Sequence, residues 1–109
     1  MAKIDLITLS GLTASDGSII ASGATIKFDS EFRASSTDII IRPKLYRNRE
    51  LFEGGYEPVI CIGLPFDFII TVPEEEFYQI TPTILYEKVR DALNMEVGSY
   101  LFEIEITGV

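Results

Sequence analysis

Residues 81–107, TPTILYEKVRDALNMEVGSYLFEIEIT, hold the one clear helix signal of the chain followed by its cleanest strand signal, and that order decides the fold class. Thr81 suits a helix N-cap, Pro82 the first helical position and Gly98 the residue just past the last turn, so a helix is predicted over Pro82–Val97. Leu85, Val89, Ala92 and Leu93 recur at the spacing of one helical face, which predicts packing of that side on a sheet. From Tyr100 the period becomes two: Tyr100, Phe102, Ile104 and Ile106 alternate with Leu101, Glu103, Glu105 and Thr107, the pattern of a strand.

Working back toward the N-terminus, period two dominates. Residues 3–12 read as a strand with a slip of phase, Ile4 and Leu6 on one face and Ile7 and Leu9 on the other, which predicts a bulge or burial on both sides. TASDGS after it is turn chemistry, with Asp16-Gly17 fit for the positive φ of a tight loop. Residues 24–32 alternate Ala24, Ile26 and Phe28 with Thr25, Lys27 and Asp29, a half-buried strand. In residues 39–46, Ile39, Ile41 and Leu45 point one way and Ile40, Arg42, Lys44 and Tyr46 the other. Pro43 has no N–H to give to a ladder, which places this strand at an edge or a bulge. ELFEGGYEP reads as a loop, and residues 59–62 and 66–72 as two more strands, the second with Phe66, Phe68, Ile70 and Val72 on one face. About six strands with a helix before the last predict a single mainly β domain over residues 1–109, a β-sandwich or small barrel of mostly antiparallel strands with one α-helix packed on a sheet near the C-terminus.

Composition agrees with one packed globule. Hydrophobic residues are 47% of the 109 and charged residues 24%, the balance of a chain that folds. The single Cys61 lies in the apolar run PVICIGL, so it has no disulfide partner within the chain and a buried, inert thiol is expected. No apolar run is long enough for a signal peptide or a membrane span, and a soluble protein is expected. The net charge of −8 argues against nucleic acid as a partner. That charge is divided: residues 1–49 hold seven basic and five acidic side chains, residues 50–109 two basic and twelve acidic.

The residue types argue against an enzyme. Histidine is absent, and with it the usual general base and metal ligand. Glu74, Glu75 and Glu76 offer oxygen ligands for calcium or magnesium, but adjacent residues in a turn diverge, and a solvated connection is the simpler reading. Glu103 and Glu105 share one face of the last strand, a candidate acid/base pair or a wet outer face. SDGSIIASG and EGG lack the lysine and hydroxyl of a phosphate-binding loop, and no Ser or Thr has a His beside it. No cofactor is expected.

The remaining signal is a basic island, RPKLYRNRELF at residues 42–52, with Arg42, Lys44, Arg47 and Arg49 around Tyr46. As edge protection these charges blunt unwanted strand pairing; as a docking patch they combine donors with an aromatic anchor. In the second case the basic edge of one copy meets the acidic surface of the next, Glu103 and Glu105 included, and a heterologous contact of this kind makes a ring where it closes. Candidate interface residues are therefore Arg42, Lys44, Tyr46, Arg47, Arg49, Tyr56, Glu103 and Glu105.

The β-rich layout with a late helix, together with SGATIKFDSEF and RPKLYRNRELFEGGYEP, resembles small structural proteins of tailed bacteriophages, those of head-to-tail connector rings and tail tubes. The resemblance implies a repeated virion subunit made in the bacterial host cytoplasm, without catalysis, whose partners are itself in a homo-oligomeric ring and other structural proteins. The short loops depart from the long inter-subunit arm of tube proteins and favour a ring or adaptor. The alternatives are a monomeric binding module that uses Tyr46 and Tyr56 to hold a protein or small ligand, and a carboxylate-dependent enzyme or metal binder at Glu74–Glu76.

Overall fold

The structure, a computed structural model of the chain, describes residues 3–60 and 64–107. In chain order the elements are β1 (Lys3–Thr8), β2 (Leu12–Thr13), β3 (Ile19–Ile20), β4 (Thr25–Arg33), β5 (Asp38–Tyr46), α1 (Arg49–Glu53), β6 (Phe68–Thr71), α2 (Glu74–Phe77), α3 (Pro82–Val97) and β7 (Phe102–Thr107). Five strands form one sheet in the order β6-β5-β4-β1-β7 with every neighbouring pair antiparallel, and β2 and β3 form a separate hairpin. The class is thus the expected one, mainly β with a C-terminal helix on the sheet. The sheet is open, with β6 and β7 as its two edges.

Register assigns the faces. Leu6 opposes Ile104 on one side and Ile26 on the other, Ile26 opposes Leu45, and Ile39 opposes Ile70, so these side chains share one face. Helix α3 covers that face: Val89 and Leu93 are fully buried with Leu6, Ile26, Ile39, Ile41, Leu45 and Phe102. Phe28 meets Tyr86 of α3 with ring centroids 4.8 Å apart, and Phe32 meets Phe77 of α2 at 5.7 Å. The helix has the predicted bounds and the predicted caps. Thr81 Oγ1 accepts from Ile84 N at 3.3 Å, and Gly98 takes the left-handed conformation (φ 75°) while its N–H returns to Asn94 O. Among the described residues no helix is long and apolar enough to cross a membrane.

Several elements differ from expectation for identifiable reasons. The strand expected over residues 3–12 stops at Thr8, and Leu12–Thr13 joins the hairpin instead, around an Asp16-Gly17 turn in which Gly17 has φ 89°. The slip of phase is burial on both sides, since Asp5 and Leu6 are both buried on opposite faces of this central strand. The stretch read as a loop, ELFEGGYEP, begins in helix α1, because the Asn48 side chain accepts from Leu51 N at 2.9 Å and caps it. Glu74–Glu76 form the first turn of α2, where carboxylates complement the helix dipole, in place of a plain connection. Of the strand expected at residues 59–62, Val59 makes one bridge to Leu45, whereas Cys61 and Ile62 lie outside the described residues. Phe66 precedes β6 and is 82% exposed, so it does not join the buried face with Phe68 and Ile70. Tyr100 likewise precedes β7 and is exposed.

Pro43 sits where its chemistry permits. Leu45 O accepts from Val59 N at 2.7 Å, on the side away from β4, and residues two apart in a strand direct their backbone groups alike. The absent N–H of Pro43 therefore faces the gap between the end of the β6 pairing at Ile41 and the bridge at Leu45. β5 is interior over its first half and an edge over its second.

Truncation of Leu93 to Ala, which empties the middle of the helix–sheet core, is expected to cost about 2–5 kcal/mol of unfolding free energy in urea titrations. Thr81→Ala, which removes only the cap, is expected to cost about 1 kcal/mol. A larger loss at Thr81 than at Leu93 would contradict this description of what holds the helix.

Candidate interaction surfaces

All four basic side chains of residues 42–49 have partners within the chain. Arg42 and Lys44 project from the face of the sheet opposite α3, where Lys44 Nζ lies 3.2 Å from Asp29 Oδ2 and Arg42 Nη2 3.8 Å from Glu31 Oε1. These are cross-strand pairs between β5 and β4, about half exposed, and each contributes at most about 1 kcal/mol. Arg47 reaches the β2–β3 hairpin, donating to Ser18 Oγ at 3.1 Å and Ile19 O at 3.4 Å. Arg49, on α1, donates to Thr107 Oγ1 and pairs with Asp5. Tyr46 is buried under Phe52 of α1, ring centroids 5.1 Å apart and edge to face, so it serves packing. Tyr56, by contrast, is 63% exposed, with its ring against Gly54, where an added Cβ would come within 2.9 Å of it. The basic island is thus the seam that ties β5 to β4, to the hairpin and to α1.

Asp5 was not singled out in the sequence. It is 2% exposed, opposite Glu105 in register, with Lys27 Nζ 2.6 Å from one carboxylate oxygen and Arg49 on the other. A carboxylate at that depth survives only because both oxygens are paired. The only signal available was an acidic residue in mid-strand between Ile4 and Leu6, a position that an exposed face explains equally well. Around this trio α1 lies on the outer face: Lys27 stands 5.0 Å from the Phe52 ring centre and Lys3 Nζ 3.5 Å from Glu53. A polar cavity of about 250 Å³ opens beside it, lined by Asp5, Thr25, Asn48, Arg49, Glu50 and Glu105.

Glu103 and Glu105 do not act as a pair. Glu105 borders the cavity, while Glu103 accepts from Tyr100 Oη at 2.6 Å, from its neighbour Ile104 N at 2.8 Å and from Arg90 Nη1 at 3.0 Å. The tyrosine hydroxyl, the backbone N–H and the guanidinium together hold the Glu103 carboxyl down at about 2, and the bonded carboxylate pushes Tyr100 up. This cluster also closes an edge. Leu9 N donates to Leu101 O, so the odd-numbered backbone groups of β7 face β1 and those of Phe102, Ile104 and Ile106 face outward. Asn94 of α3 accepts from Phe102 N at 2.9 Å and donates to Phe102 O at 3.2 Å, and Glu103 takes Ile104 N. The first half of the β7 edge is capped by side chains, a protection against strand addition.

A second depression, of about 300 Å³, fills the gap in the β5 edge beside Pro43 and is walled by Leu45, Pro58, Ile60, Leu64 and Phe66, with Arg42 and Lys44 at its margin. Ile60 is 59% and Phe66 82% exposed.

Two expectations follow from these contacts. Asp5→Ala strands two cations in a partly buried site and is expected to cost about 3–5 kcal/mol in urea unfolding, against less than about 1 kcal/mol for Arg42→Ala. Glu103, whose folded value lies below the ordinary 4.5, contributes stability that is present above its unfolded pKa and is lost as pH falls from 4.5 toward about 2. In Glu103→Gln the acid side of the stability profile over that window is expected to be flatter than in the parent; identical profiles would mean that the cluster does not form.

Compared with protein-family models, with curated proteins and with solved structures, the chain matches none.

Proposed function

We propose that this protein is a non-enzymatic assembly subunit, a component of a virion's head-to-tail or tail structure, that works by joining copies of itself and other structural proteins. The observation that carries the reading is the exposure of large apolar side chains along one border of the sheet: Phe66 at 82%, Ile60 at 59% and Ile69 of β6 at 57%. Apolar groups displayed together are costly to leave in water and mark surfaces that other proteins cover. Arg42 and Lys44 are already matched by Glu31 and Asp29, so the joint rests on apolar and main-chain contact rather than on charge complementarity.

A second reading, a monomeric module that holds a protein segment or small ligand, is favoured by the apolar depression at Pro43, whose size is at the lower end of ligand pockets. Mass in solution separates the two. Light scattering at rising protein concentration is expected to give a mass above that of one chain, and the mass should persist at high salt, because apolar contact strengthens while exposed ion pairs are screened. A single-chain mass at every concentration would sink self-assembly and leave the module; an assembly that dissolves in salt would restore the charge-driven joint.

A further inference from the structure

Asp5, Thr8 and Thr25 are polar side chains buried in the sheet, but their hydrogen bonding differs. Asp5 holds Lys27 and Arg49, and Thr8 Oγ1 accepts from Ala24 N at 3.1 Å. Thr25 is 3% exposed, and among the described residues its hydroxyl has no partner. A hydroxyl at that depth calls for one. No described side-chain oxygen that is sealed from solvent lacks a hydrogen bond, so the Thr25 hydroxyl is reached from outside, and the space that Thr25 borders is the polar cavity beside Asp5.

Charge around this cavity changes sign with depth. Register sets Asp5 opposite Glu105 and Ile7 opposite Thr25, all on the sheet face away from α3, and α1 with its cap adds Asn48, Arg49 and Glu50. Deep in the site two cations, Lys27 and Arg49, share the one carboxylate of Asp5, which leaves one positive charge in excess. Thr107 offers Arg49 only a neutral hydroxyl. Asn48 gives its side-chain oxygen to Leu51 N, so its amide N–H groups remain as donors. At the rim Glu50 and Glu105 are exposed, and among the described residues neither carboxylate has an ion pair or a hydrogen bond. Among the same residues no group of acidic side chains is placed to hold a metal ion.

We propose that this cavity binds a small zwitterionic amino acid, with its carboxylate turned inward to Thr25, Arg49 and Asn48 and its ammonium outward between Glu50 and Glu105. The order of signs disfavours simpler ligands. A plain anion is repelled by the rim and by a chain of net charge −8, and a plain amine gains nothing from the excess cation and the donors at the floor. A ligand with no net charge and separated ends satisfies both levels, through charge-assisted hydrogen bonds at each. The volume of about 250 Å³ lies below the usual range of ligand pockets and restricts the side chain to one as small as that of glycine, alanine or serine. The site lies over β1, β4 and β7, away from the apolar border at β6, and does not depend on how the chain assembles.

Titration of the chain with free alanine, followed in amide NMR spectra, tests the site. Alanine is expected to move the signals of Thr25, Arg49 and Glu105 while those of β6 stay in place, with a dissociation constant of about 1 mM, ordinary for so few atoms. Acetate and ethylammonium, each carrying one end of the ligand, are expected to bind about tenfold more weakly or worse. Thr25→Val keeps the shape and the strand preference but removes the hydroxyl; it is expected to weaken alanine about tenfold, and Thr25→Ser to retain it. Glu105→Gln, at an exposed position, is expected to weaken alanine without weakening acetate, and it stands in if the Thr25 variants fail to fold. Acetate binding as tightly as alanine would make this an anion site, and ethylammonium binding as tightly would make it an amine site. Either result overturns the proposal, as does a spectrum unchanged at about 100 times the expected dissociation constant.

Discussion

The chain leaves the sheet at one edge, β6, and returns at the other, β7, and this crossing governs the rest of the structure. Both edge strands are antiparallel to interior strands that themselves run the same way, so β6 and β7 point in one direction and the connection must traverse the whole face. Helix α3 makes that traverse. In doing so it supplies Val89 and Leu93 to the core and leaves the opposite face of the sheet without a helix layer of comparable size. A sheet covered on one face only has to solve the problem of its other face with polar chemistry.

On that other face the solution is cross-strand charge pairing, Lys44 with Asp29 and Arg42 with Glu31, in the wet regime where such pairs organise more than they stabilise. The exception is Asp5. The short helix α1 folds over it, and its carboxylate is held between Lys27 and Arg49 in a site nearly closed to solvent. One strand, β1, is therefore buried from both sides, by the apolar core on one and by an ion trio on the other. The basic residues at 42–49, which look in one dimension like a single patch, are distributed among three jobs: pairing β5 with β4, fastening the β2–β3 hairpin, and seating α1.

The edges carry the functional argument, because an antiparallel sheet that is not closed must either defend its ends or use them. β7 is defended by Asn94 and by Glu103, the latter held in turn by Tyr100 and Arg90. β6 is short and uncharged, with Ile69 exposed within it and Phe66 exposed just before it. The basic stretch, by contrast, is occupied with contacts inside the chain, so the exposed apolar border and not the charge is what the proposed assembly reading leans on.

The helix α3 was legible residue by residue, since caps and stripe are local features: Thr81, Pro82 and Gly98 act within one turn of where they stand. Strands β4, β5 and β7 were legible because alternation is set by one apolar and one polar face, and the half-edge placement of Pro43 because a missing N–H cannot be repaired elsewhere. The tertiary structure alone decided which strands are neighbours, and with that the fate of every charge. Whether Arg42 is a free cation or half of a pair depends on β4 lying beside it with Glu31 in reach, and whether Asp5 is wet or buried depends on α1 folding back over β1. Local pattern encodes the conformation of a segment, but the partner of a buried charge such as Asp5 lies on another element, Lys27 being 22 residues away, and only the closed chain brings the two together.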